Sequence, residues 1–320
     1  MRRSGFISCT LFLLFIFLSC HQDSRFTIGF VDIVEDATLA QARQGYVDAL
    51  TENGWIGDQK NVQIIFRNAQ GDMPALLQSV DYFINKPVDI IAANATMSAI
   101  SAVQRTQEIP VCMMVGPEPG LALLNDKSGN PPPNLFGVYE NLDYLDTSIH
   151  IIKNWIPDAM KVGVIYNQAE TQSILALEKI KSAGLVYGLE IIDLPVVNSA
   201  ETQMVAHALI NRKIDVFFAM PDNIIFSSFE VIYKICSENN IPIFTSEAGL
   251  VIRGAVAAYG ADFYQWGYQA GLQTSKYLES GMTTLPELEI VKLRRKVYHP
   301  DEAERYGFVP GDEFRSIKDY

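Results

Sequence analysis

Val88-Asp89-Ile90-Ile91-Ala92-Ala93 is a short apolar run with one early charge, and about 130 residues later the chain repeats it as Ile214-Asp215-Val216-Phe217-Phe218-Ala219. Two further pairs keep the same order: Ile28-Gly29-Phe30-Val31 with Val162-Gly163-Val164-Ile165, and Ile109-Pro110-Val111 with Ile241-Pro242-Ile243. Three matches in one order imply two copies of one βα unit. Runs this apolar are strands covered on both faces, as in a parallel sheet, and amphipathic stretches separate them.

Around these runs the spacing predicts strands over 26–31, 62–66, 88–92 and 111–115. Helices are predicted over 39–53, with Gly54 as the stop, and around 99–104. Asp72 is placed to cap a helix that opens at Met73-Pro74, where proline's missing N–H costs nothing. A proline-rich loop over 116–133 precedes the restart of the pattern. The fold class is therefore α/β, with two doubly wound parallel-sheet lobes, a hinge and an inter-lobe cleft. A late helix over 263–280 and a strand-like stretch over 289–297 carry the chain between lobes more than twice. The expected division is 25–140 plus 262–284 for the first lobe and 141–261 plus 285–320 for the second. Ligands of open parallel sheets sit beyond the strand carboxyl ends, here between the lobes.

Residues 1–20 read as an export segment. Met1, Arg2 and Arg3 supply positive charge, residues 6–18 are almost wholly apolar, and Ser19-Cys20 precedes the polar stretch His21-Gln22-Asp23-Ser24. The apolar run is shorter than the roughly 20 residues that span a bilayer core. A small residue before a cysteine at this place looks like a bacterial lipoprotein processing site, with Cys20 carrying the lipid. Phe17 and Leu18 depart from the usual pattern, Ser8-Cys9 is an earlier competing site, and plain secretion with Cys20 a bystander is the alternative.

Composition excludes several function classes. The chain is 48% hydrophobic and 19% charged, as globular proteins are, and its net charge of −12 opposes nucleic-acid binding. The one basic cluster, Lys292-Leu293-Arg294-Arg295-Lys296, reads as a solvated face. Cys112 and Cys236 read as lone buried thiols, and the four histidines have no metal-ligand spacing. No nucleophile elbow, P-loop or dinucleotide fingerprint occurs, so neither catalytic residues, nor a metal, nor a cofactor is expected.

The segments Asn68-Ala69-Gln70-Gly71-Asp72, Asn94-Ala95-Thr96-Met97-Ser98-Ala99, Asn134-Leu135-Phe136-Gly137-Val138, Gly163-Val164-Ile165-Tyr166-Asn167, Pro221-Asp222-Asn223 and Arg253-Gly254-Ala255 fall in order along the mature chain. As an ordered set they resemble the ABC-transporter substrate-binding lipoproteins of the tryptophan/tyrosine-binding type, with the type I periplasmic-binding-protein fold. The resemblance implies a monomeric, lipid-anchored receptor outside the cytoplasm. It would close on a small solute, an amino acid and especially an aromatic one, and deliver it to a membrane permease driven by an ATPase. An extracytoplasmic sensor for a membrane signalling protein, or a binder of a nucleoside or other small metabolite, is the alternative.

Candidate ligand residues follow from the strand ends. Thr96 and Ser98 open a helix whose free N–H groups and positive dipole end suit a carboxylate, or they serve only as its cap. Asn94 ends the strand before it, as a turn residue or a contact. Asp222 follows a strand and precedes a helix, so it either caps that helix or holds a ligand ammonium, with Asn223 assisting. Glu247 and Glu35 are second anionic candidates, or solvated loop residues. Tyr139, Tyr166 and Phe66 offer aromatic walls, and Asn167 and Gln70 directional hydrogen bonds. Val115-Gly116-Pro117-Glu118-Pro119 and Pro221 depart from the family's usual residues, which bears on ligand identity more than on fold.

Overall fold

The computed structural model describes residues 26–57, 62–86 and 88–319. The export segment and Cys20 lie outside the described residues. The first lobe runs β1 (Phe26–Asp32), α1 (Ala37–Glu52), β2 (Val62–Asn68), α2 (Met73–Asn85), β3 (Ile90–Asn94), α3 (Thr96–Arg105), β4 (Val111–Pro117) and β5 (Leu135–Glu140). The second runs α4 (Tyr144–Trp155), β6 (Lys161–Asn167), α5 (Thr171–Tyr187), β7 (Glu190–Val196), α6 (Thr202–Asn211), β8 (Val216–Ala219), α7 (Asn223–Ser227), α8 (Phe229–Glu238), β9 (Ile243–Thr245), α9 (Ala248–Ile252) and β10 (Ala257–Ala261). The chain then returns through α10 (Phe263–Glu279) and β11 (Glu289–Ile290), and ends with β12 (Arg294–Tyr298), α11 (Pro300–Tyr306) and β13 (Arg315–Ser316).

The first sheet has the order β11-β5-β4-β3-β1-β2 and the second β13-β12-β10-β9-β8-β6-β7. Pairing is parallel throughout except between β10 and β12. The apolar runs of β3 and β8 are wholly buried in the sheet centres, which is why the repeat was legible. Gly29 is required in β1 because a Cβ there would meet the Phe83 ring of α2 at 2.6 Å. Asp72 caps α2 as its spacing predicts, accepting from Ala75 N at 2.9 Å.

Helix α10 lies on α1, so closely that a Cβ at Gly267 would stand 1.8 Å from the Ala42 carbonyl oxygen. Tyr46 of α1 donates to Thr274 of α10 at 3.0 Å, and this contact fixes α10 to the first lobe. Strand β11 pairs with β5 in the first sheet, whereas residues 285–320 were assigned to the second lobe. The chain therefore changes lobes after β11, because Glu289 and Ile290 complete the open edge left by β5.

Three crossings join the lobes, at 141–143, at Asp262 and at 291–293. They are tied to one another by ion pairs. Arg294 grips Glu140 through Nη2–Oε1 at 2.5 Å and Nε–Oε2 at 2.8 Å, and Arg295 Nε lies 2.9 Å from Asp262 Oδ2. Within the basic cluster Arg294 and Arg295 therefore belong to the hinge, while Lys292, paired with Glu289 at 2.6 Å, stays on the solvated face as expected. No described helix is long and apolar enough to cross a membrane.

Candidate functional site

The lobes enclose a tight cavity of ≈ 30 Å³. Its walls come from both lobes and from the crossings. Thr96 and Val115 belong to the first lobe, Glu140, Leu142 and Phe263 to the crossings and their flanks, and Glu170, Gln172, Pro221, Asp222, Asn223, Phe226 and Glu247 to the second lobe.

One end is polar. Ala95 precedes α3 with φ at 71°, a left-handed turn rare for a residue with a side chain, and no side chain caps the helix. The first N–H groups of α3 are thus open to an acceptor, and the Thr96 hydroxyl donates across the cleft to Gln172 Oε1. Helix α5 likewise starts without a side-chain cap, behind Glu170. The Asn223 amide donates to both Glu170 oxygens at 3.3 Å. Burial, then the neighbouring Asp222 charge, pushes the Glu170 carboxyl up to about 7.

Asp222 is the cap of α7. Its Oδ1 accepts from Ile224 N and Ile225 N at 2.8 and 3.2 Å, and its Oδ2 from Asn167 N and Ser173 Oγ at 2.8 and 2.6 Å. Four donors use the whole accepting capacity of a carboxylate. Asp222 thus fixes the loop that carries Glu170 and Asn223 and adds negative field, while burial raises its own pKa.

Much of the remaining wall is aromatic. Tyr144, Phe226, Phe263 and Trp266 line it, with Phe263 edge-on to Phe226 at 6.0 Å and to Trp266 at 5.7 Å between centroids. Trp266 is held by its Nε1 donating to Val138 O at 2.9 Å. Among these rings stand Glu140, paired with Arg294, and Glu247, which takes a hydrogen bond from Ser246 Oγ at 3.1 Å on Oε1 only. No Lys, Arg or His is among the lining residues.

Of the predicted site residues, the structure brings Thr96, Asp222, Asn223 and Glu247 to this cavity. The others lie outside it for identifiable reasons. Glu35 is exposed at the end of the β1 loop, spent on Arg43 and Asn68, and Gln70 bonds Asn68 on the surface. Asn94 is buried, donating to Asp32 Oδ1 at 2.7 Å and Leu39 O at 3.1 Å, so it ties β3 to β1 and α1. Ser98 is buried behind the first turn of α3. Tyr139 and Tyr166 pack against the cores of their lobes, and Phe66 stacks on Phe30 under Arg43. Asn167 shapes the Asp222 loop through its backbone N–H. Sequence reasoning missed Glu140, Tyr144, Glu170, Gln172, Phe226, Phe263 and Trp266. Their common signal was position, just past strand ends or at lobe crossings.

The lobes meet beyond the cavity as well. Arg253 at the end of α9 reaches Asp36, the cap of α1, at 2.8 Å, and Gly249 stands where a Cβ would lie 2.7 Å from Thr38 Oγ1. The cleft is shut.

Residues 27–285 match the family described as ABC transporter substrate binding protein. The chain is 34% identical over 270 residues to a tyrosine-binding protein of Clostridioides difficile, covering 82% of this chain and 77% of that one. Among solved structures, an ABC domain in complex with L-Trp from Streptococcus pneumonia superposes with a TM-score of 0.84 at 22% identity, covering 92% of this chain and 99% of that one. The ligand-free, open structure of a substrate-binding protein with adhesive properties from Clostridium difficile gives 0.67 at 28% identity, covering 91% and 98%.

Proposed function

The chain belongs to the ABC transporter substrate-binding protein family, and from that premise we propose that it captures an aromatic amino acid between its lobes and delivers it to a membrane permease. The observation that carries this reading is the make-up of the cavity wall, in which the Glu170 carboxyl, the Asn223 amide and the start of α3 stand with four aromatic side chains. The ligand ammonium sits against Glu170 and Asn223, and its carboxylate takes the open N–H groups of α3, beside the Thr96–Gln172 hydrogen bond that spans the cleft. Its ring enters among Tyr144, Phe226, Phe263 and Trp266.

The mechanism is capture by closure. A solute entering the open cleft contacts one lobe, and the shut state, in which it bridges both, is favoured by its differential affinity for that state. The tyrosine bound by the Clostridioides difficile relative supports the ligand class. Residues 1–20 support export, and Cys20 is the proposed lipid anchor of a monomeric receptor facing away from the cytoplasm. Replacement of Cys20 by Ala should release the chain from the membrane fraction.

Refolded protein freed of carried-over ligand tests the reading in a thermal-shift screen of amino acids, nucleosides and sugars. Stabilisation by tyrosine or tryptophan is expected. Stabilisation by sugars or nucleosides alone contradicts it.

A further inference from the structure

Glu247 is 2% exposed, lines the cavity, and has one carboxyl oxygen, Oε2, without a hydrogen-bond partner among the described residues. A buried polar atom left unpaired costs free energy, and in a binding site it marks the place of a ligand group. Glu247 stands by Tyr144, one of the aromatic lining residues. Its charge neighbours are Glu140 and Asp36, and it acts on Tyr144, whereas Glu170 has Asp222 and Asn223. The two acids share no partner, so they offer a ligand two separate acceptors.

We propose that Glu247 is a specificity-determining residue, accepting a hydrogen bond from an O–H or N–H borne by the ligand's ring. The site thus takes phenolic or indolic amino acids in preference to phenylalanine. This deepens the amino-acid reading above and rests on it. Burial pushes the Glu247 carboxyl well above its ordinary range. A bare phenyl ring reaches the same rings but leaves Oε2 unpaired, which is the discrimination a hydrogen-bonding site achieves and an apolar pocket does not.

Titration calorimetry with tyrosine, tryptophan and phenylalanine, on the wild type and on Glu247→Gln and Glu247→Leu, tests the assignment. Wild type should bind tyrosine at least about tenfold more tightly than phenylalanine. Glu247→Gln, which keeps an acceptor, should retain most of that ratio, and Glu247→Leu should bring it near one while phenylalanine still binds. Thermal unfolding of each variant without ligand shows that it is folded. Equal wild-type affinity for tyrosine and phenylalanine, or a ratio unchanged in Glu247→Leu, overturns the role of Glu247 and leaves the amino-acid reading standing. Absence of binding by all three amino acids overturns both.

Discussion

Arg253 and Asp36 stand on different lobes, yet Arg253 Nη1 lies 2.8 Å from Asp36 Oδ2, and both side chains are largely buried. Asp36 also caps α1 through Thr38 N at 2.7 Å, and Arg253 donates to Phe226 O at 2.7 Å, the backbone of a cavity residue. The pair thus joins closure to the wall of the site. Its geometry exists only when the lobes meet.

Replacing Arg253 with Ala leaves Asp36 buried without its ion-pair partner in the shut state, held only by N–H groups of α1, but hydrated in the open one. Breaking a buried pair costs about 3–5 kcal/mol, and opening relieves part of it, so ligand affinity should fall by about 1–3 kcal/mol. Calorimetry reads the affinity, and stopped-flow fluorescence should place the loss mainly in a faster off-rate.

Gly249 permits the close approach of α9 to α1. A Cβ there meets Thr38 at 2.7 Å, so Gly249→Ala should disfavour the shut arrangement and weaken binding about tenfold. Thr38→Ala removes the two nearest opposing atoms and should restore binding in the double variant. Small-angle scattering should show the single variant more extended than the wild type when ligand is present.

Glu170 gives a pH dependence whose sign is fixed by its raised pKa. The folded protein holds this proton up to about 7 and the unfolded chain releases it near 4.5, so between those values the folded state binds more protons. Stability without ligand should therefore fall as pH rises through that window, by at most about 1.4 kcal/mol per pH unit, and Glu170→Gln should flatten the trend. Binding of an ammonium needs the ionised form, so affinity should rise from pH 6 to 8 and lose that slope in Glu170→Gln. Melting curves and calorimetry across this range check both.

Asp222 is predicted to be structural. With both oxygens saturated by four donors, Asp222→Ala removes a helix cap, worth about 0.5–2 kcal/mol, and frees the Asn167 and Ser173 donors besides. The melting temperature should fall, with binding lost through disorder of the Glu170 loop. A fully stable variant that has lost only ligand affinity would return Asp222 to direct ligand contact.

The lobes were legible because β3 and β8 are apolar runs long enough to be read without context, and each is repeated. The hinge was only half legible. Arg294 and Arg295 are basic residues in a basic run, and nothing local says that Glu140 and Asp262, far away in sequence, await them. Strand β11 is two residues long and is a strand only because β5 offers an edge. In the site, Asp222 was found by its place after a strand, which cannot separate a cap from a contact, since both need the same carboxylate at the same turn. The aromatic wall escaped because Phe263 and Trp266 sit one helical turn apart on a helix that otherwise reads as first-lobe core.

A crystal structure of the chain with tyrosine tests the central claim most directly. The account predicts the ammonium within hydrogen-bond distance of the Glu170 carboxylate and the ring among Phe226, Phe263 and Trp266, with the lobes shut. Tyrosine lodged outside this cavity, or held inside it with its ammonium away from Glu170 and Asn223, would contradict it.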